Sequence, residues 1–351
     1  MQNLIRRGFN LGQAPLPNPS QDQDNNPGEE WIQGKPIKIR DVCKSSIAAH
    51  QNDIENTESL VIEILEGNSI EETILSEPFS LRLTQRFEAL GAANNEGDDQ
   101  EVETLYFDAV QNEKTIAEDL WLKVSWLSYH EEDASIRFRF SFGVDLEEDV
   151  ASDPVRQSAA AELAEAIFPE CAIISQNGAL LEFLEQELDI KKPNFVERIM
   201  YFNAPNGGAY LHHDLERGHA GVVYAQLSGA TLWLALPHQA LATEVASFLQ
   251  SHELPASLNN NQRQSVLELG HDQASISQAL NSFSHDGLIH LINETEEFVQ
   301  FLIAAGHYRV LGAGDVILLP QKDSESCCWH SVFCLGDEIG QSLSFAVKDG
   351  D

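Results

Sequence analysis

Ala209-Tyr210-Leu211-His212-His213-Asp214 reads as a β-strand with chemistry on one face. Side chains alternate along a strand, so residues two apart look the same way. His212 and Asp214 therefore share a face, and His213 takes the other. A distant stretch, Cys328-Trp329-His330, also has strand character and brings a further histidine. If both strands line one barrel, His212, Asp214 and His330 converge. Two imidazoles and a carboxylate that leave coordination positions open form the donor set of non-haem Fe(II) oxygen chemistry. An H-x-D pair alone recurs by chance; the strand context at both ends gives it weight.

The rest of the chain bounds this reading. Its 351 residues, 42% apolar, suffice for one large domain or two small ones. Acidic residues far outnumber basic ones, for a net charge of −35. Such a surface repels nucleic acid and anionic membranes, because phosphate contacts need Lys and Arg. The simplest meaning of the charge is a solvated surface; a cationic partner is the alternative. Cys43, Cys171, Cys327, Cys328 and Cys334 are odd in number and irregularly spaced, which argues against a disulfide framework and for a reduced, cytoplasmic protein. There is no signal-like apolar run at the N-terminus, and no stretch approaches a spanning helix.

Residues 1–35, rich in Gln, Asn, Pro and Gly, are expected to form a weakly ordered arm. Residues 36–190 are expected to form an α/β region packing on the barrel. Within it Ser59–Leu65 and Leu81–Leu83 look strand-like, Thr84–Leu90 helical, and Asn94–Glu101 a solvated loop. Leu120–Leu127 and Ile136–Phe142 read as paired strands, with Phe138, Phe140 and Phe142 on a core face. Arg137 and Arg139 share the opposite face. They are either an anion site or, more simply, members of ordinary ion pairs. Helices are expected over 154–168 and 178–188, the first opened by Asp153-Pro154. Residues 191–351 are assigned to the barrel, including Val196–Phe202, a long apolar run Gly221–Leu236, and strands near Tyr308–Leu311, Val316–Leu319, Cys327–Cys334 and Ser342–Val347. Residues 238–305 show helical spacing and read as a helical insertion or lid.

Two blocks carry a resemblance. Tyr210–Pro237 (YLHHD…VVYAQLSGATLWLALP) and Gly312–Val347 (GAGDVILLP…CCWHSVF…SLSFAV) resemble the JmjC/cupin-like Fe(II) and 2-oxoglutarate oxygenases, including the asparaginyl-hydroxylase branch. The resemblance covers about 65 residues, within a barrel of roughly 160. It implies a mainly β fold with helices, a double-stranded β-helix or jelly roll. It also implies that His212, Asp214 and His330 are the iron ligands, with 2-oxoglutarate as co-substrate.

The departures are specific. Where the family has a lysine for the 2-oxoglutarate carboxylate, this chain has Thr231. A hydroxyl or aromatic donor before the first histidine is replaced by Ala209, and a late polar residue by Ala346. Thr231 donates one neutral bond where a lysine donates a charge-assisted one. Arg198 and Arg309 are the substitute cations named from sequence. His213 is expected to point away from the metal. His219 is a surface histidine, a ligand-orienting group or a second ligand. Cys328, Trp233 and Tyr224 are expected in the core or pocket wall. The expected partners are O2 and a small, amino-acid-like substrate, with a basic peptide as alternative. Oligomeric state is open, a homodimer included. Rival readings are an iron oxygenase that uses no 2-oxoglutarate because substrate chelates the metal, a zinc hydrolase, and a cupin-like binding protein without turnover.

Overall fold

The aromatic face Phe138, Phe140 and Phe142 is buried, as the alternation of that strand requires. The structure is a computed structural model that describes residues 1–15, 26–83, 86–93, 101–143, 153–215, 219–282 and 285–350. Residues 94–100 of the expected acidic loop, residues 84–85 and residues 216–218 lie outside these.

Fifteen strands are described: β1 (Gln2–Arg6), β2 (Phe9–Ala14), β3 (Ile37–Ile39), β4 (Phe87–Ala93), β5 (Glu101–Gln111), β6 (Lys114–Trp126), β7 (Ile136–Phe142), β8 (Asn194–Asn203), β9 (Gly208–His212), β10 (Gly221–Gln226), β11 (Ala230–Pro237), β12 (Tyr308–Gly312), β13 (Val316–Pro320), β14 (Cys328–Leu335) and β15 (Gly340–Lys348). The larger sheet has the order β3-β13-β10-β15-β8-β7-β6-β5-β4, and a smaller one runs β12-β11-β14-β9. Every pairing is antiparallel. From β8 to β15 the chain alternates between the two sheets except at β11 and β12, neighbours in the smaller one, in the winding of a double-stranded β-helix. The fold is therefore mainly β with helices, of the jelly-roll or cupin-like kind.

Three apolar clusters follow from this layering. One fills the barrel between the sheets: Val222, Tyr224, Trp233, Ala235, Leu319 and Val332 belong to it. A second covers the outer face of the larger sheet with helices that include Gln51–Leu65 and Pro154–Ile167. The third joins the outer face of the smaller sheet to the helices of 238–305. The N-terminal strands β4–β7 continue the barrel's own larger sheet.

Several local expectations are corrected. Ser59–Leu65 belongs to the helix Gln51–Leu65, whose buried Ile54, Thr57, Leu60, Val61 and Ile64 follow helical spacing. Leu81–Leu83 lies in a short helix, and Phe87–Ala93 is a strand. The start of the expected arm is an ordered hairpin, β1–β2, with Leu4, Leu11 and Ala14 buried against the insertion helices. The insertion is a buttress: its apolar faces pack on the back of the smaller sheet, through Leu232, Leu234, Leu236 and Phe333. The run Gly221–Leu236 is two strands, broken at Gly229. There φ is +68°, and an added Cβ would lie 2.8 Å from Gly340 Cα. All five cysteines are buried and unbridged. Among the described residues no helix is long and apolar enough to cross a membrane.

Candidate metal centre

β9 and β14 are adjacent, and His212 is the backbone partner of His330. The register of the pairing shifts between His330 and Val332. Gly208 permits the close approach: a Cβ there would strike the Val332 carbonyl. β9 ends at His212, so Asp214 lies just past the strand. Its carboxylate still reaches both rings. Asp214 Oδ1 is 3.3 Å from His212 Nε2, and Oδ2 is 3.3 Å from His330 Nε2. The two ring centroids are 4.3 Å apart. One donor atom from each residue lies within 4.8 Å of the others, the separation a single bound ion requires.

The tautomers are set from behind. His212 Nδ1 is 2.6 Å from the Tyr210 carbonyl, and His330 Nδ1 is 3.4 Å from the Cys328 carbonyl. A carbonyl only accepts, so each Nδ1 carries the proton and each Nε2 presents a lone pair. The Nε2 lone pairs then face carboxylate oxygens, acceptor against acceptor, at 3.3 Å. A proton on an imidazole or a metal ion among the three groups resolves that clash, and the donor set fits a divalent metal.

Asp214 dominates the local electrostatics. Burial opposes the charge of Asp214, but His330 and His212 outweigh it and hold the carboxyl well below its usual range. Burial likewise opposes the charged form of His212, yet Asp214 and the Tyr210 carbonyl leave its pKa raised. His330, 4% exposed, is pushed down by burial and then by His212. It is thus the neutral, ligating form that the pocket favours there.

The surrounding residues sort as follows. Trp233 stacks on His330 at 5.4 Å, with 29° between planes. Cys328 and Tyr224 line the barrel interior. His213 turns away and packs edge-on against Trp329, 5.1 Å between centroids. His219 is buried, at 7% exposure, and its Nδ1 has no partner among the described residues. Thr231 is also inside, but its hydroxyl is already used: it donates to Gln226 Oε1 at 2.8 Å and accepts from Trp233 Nε1 at 3.0 Å.

Arg198 is not at the site, which corrects the sequence reading. It faces outward from β8, its Nη1 3.0 Å from Glu165 and its guanidinium over Phe345, on the helix-covered side. Arg309 lies on β12 opposite Trp233, but its Nη1 donates back to the Gly306 and Tyr308 carbonyls. Sequence reasoning missed Arg6. This buried guanidinium donates to the carbonyls of Ala209 and Asn293 and to the Ser331 hydroxyl, tying β9 to β14 behind the histidines. Its only sequence signal is an arginine within the short apolar pattern of residues 4–14.

A surface hollow of about 620 Å³ is bounded by insertion residues such as Gln239, Asp272 and Ser277 and shares no residue with the histidine cluster. Comparison with protein-family models and with curated proteins finds no match. Among solved structures the chain is similar to YcfD, a ribosomal oxygenase from Escherichia coli, at 12% identity and a TM-score of 0.25. The match covers 72% of this chain and 41% of that one. At that score the likeness carries no argument, and the site stands on its own geometry.

Proposed function

We propose that the chain is a non-haem Fe(II)-dependent oxygenase acting on a small molecule, with 2-oxoglutarate as co-substrate. The observation that carries this reading is the convergence of His212 Nε2, His330 Nε2 and the Asp214 carboxylate within 4.8 Å of one another, each Nε2 3.3 Å from a carboxylate oxygen. Three protein donors leave positions for exogenous ligands, which favours Fe(II) oxygen chemistry over a closed structural site. Bound Fe(II) supplies the activation of molecular oxygen. The chain's own residues bind, orient and shield. The carbonyls of Tyr210 and Cys328 keep both imidazoles in the ligating tautomer. Trp233 limits rotation of His330. Val222, Ala235 and Leu319 make the adjoining interior apolar and keep water from it.

A second reading, an iron oxygenase that uses no 2-oxoglutarate, is favoured by one observation. Thr231 sits in a closed neutral network with Gln226 and Trp233 and offers no charge to a carboxylate. Oxygen uptake by the Fe(II)-supplemented protein, with and without 2-oxoglutarate, separates the two. Uptake coupled to succinate release supports the first reading. Uptake that needs only substrate supports the second, and no uptake under any condition removes both in favour of a binding protein.

A further inference from the structure

One strand beyond the barrel, β7 presents two arginines on the face that continues the barrel lining. Arg137 is the backbone partner of Tyr201, and Arg139 that of Ile199. Phe138 and Phe140, between and beside them, point the opposite way into the helix-covered core. The face is therefore fixed by alternation, not by side-chain choice.

Among the described residues neither guanidinium is fully matched. Arg137 Nε donates to a neutral group, the Ser125 hydroxyl, at 2.9 Å. Arg139 Nη2 meets Glu197 at 2.7 Å, while its Nε is buried with no partner among the described residues. Lys123, across from Arg139, is held by Glu101 at 2.8 Å. In a chain of net charge −35, this concentrates cations on one strip.

The strip leads to the metal cluster. Tyr201 is the strand neighbour of Arg137; burial and then Asp214 raise the pKa of its hydroxyl, while Arg137 and Arg139 lower it. Buried His219 has Glu197, Lys348, Asp214 and Arg139 around it. From Tyr201 a run of rings crosses the barrel: Tyr201 to Tyr224 at 6.5 Å, Tyr224 to Trp233 at 4.6 Å, and Trp233 to His330 at 5.4 Å. A ligand held at β7 thus lies along an aromatic wall that ends at a metal-binding histidine.

We propose that Arg137 and Arg139 bind a carboxylate of the substrate, which is therefore a small organic acid laid along Tyr201 with its reacting carbon toward the His212–Asp214–His330 cluster. The purpose of this ledge rests on the oxygenase reading; its binding does not. Planar guanidinium groups suit carboxylates, and a substrate anion supplies the pairing that Ser125 cannot. β7 lies one strand beyond β8–β15, apart from interior positions such as Thr231.

The test is isothermal titration of the full chain, metal-free, with benzoate, malonate and L-glutamate, repeated with Mn(II) and saturating 2-oxoglutarate. Saturable binding of at least one acid is expected. Arg137→Gln and Arg139→Gln should each weaken it about tenfold or more, the scale of a charge-assisted bond, while Arg309→Gln leaves it unchanged. Glu197→Gln, which frees Arg139, should tighten binding several-fold, a gain that misfolding does not produce. Absence of saturable binding, or equal binding by wild type and both arginine variants, overturns the ledge. Displacement of the acids by 2-oxoglutarate overturns its assignment to substrate. Arginine-dependent acid binding by a chain that takes up no metal leaves the ledge standing and removes the oxygenase reading.

Discussion

Trp233 is fixed at both ends: its ring stacks on His330, and its indole Nε1–H donates to the Thr231 hydroxyl at 3.0 Å. Groups that orient a metal ligand commonly carry tenfold or more of the affinity. Trp233→Leu should weaken metal binding by about tenfold. Trp233→Phe keeps the stacked face and should retain most of it. Metal titration of both variants checks this, with a thermal melt to confirm folding.

Arg6 links the N-terminal hairpin to β9, β14 and the helix Asp286–Glu294 through the Ala209 carbonyl, the Ser331 hydroxyl and the Asn293 carbonyl. Arg6→Met leaves these acceptors buried and unpaired. The expected cost is about 3 kcal/mol, since bonds from a charged donor are worth about 1.5–3 kcal/mol. Arg6→Lys should not restore it, because a single ammonium does not span the fork. Urea denaturation midpoints measure both variants.

Glu170 is fully buried. Its Oε1 accepts from Gln341 Nε2 at 3.0 Å, and its Oε2 has no partner among the described residues. Burial raises its pKa above the usual carboxyl value. The sign follows from linkage. Below the unfolded pKa both states are protonated and stability is intact. As pH rises from there through the folded pKa, the unfolded state ionises first and stability is lost, by about 1.4 kcal/mol per pH unit from this group. Glu170→Gln should abolish that slope and leave the protein more stable at neutral pH. Unfolding free energies measured from pH 5 upward test it; an unchanged slope contradicts the assignment.

Thr231→Val separates position from role. The hydroxyl's bonds to Gln226 and Trp233 are neutral and worth about 1 kcal/mol each. Stability should fall on that scale, while the affinity for 2-oxoglutarate stays unchanged. A large loss of affinity would restore Thr231 as the co-substrate's anchor.

Legibility from sequence differed by element. Ile136–Phe142 was readable because period-two alternation met one buried and one polar face. His212, Asp214 and His330 were readable because each motif block sets its ligands in or just beyond a strand, and the fold brings their donor atoms within 4.8 Å of one another. Ser59–Leu65 misled because a short apolar run with Val and Ile has no visible period until Ile54 and Thr57 are included. Arg198 misled for another reason. Both faces of β8 are covered, Met200 and Phe202 outward and Tyr201 inward, so sequence does not tell which face lines the barrel. The β1–β2 hairpin was hidden because a few small apolar residues, Leu4, Leu11 and Ala14, suffice when the insertion helices complete their burial.

The most direct test is the metal itself: Fe(II) bound per chain, measured anaerobically by titration and elemental analysis, for wild type and for His212→Ala, Asp214→Ala and His330→Ala. A single ion bound by wild type, and lost in all three variants while their folds persist, is the predicted result. No uptake by wild type, or uptake unaltered by any of the three substitutions, contradicts the account.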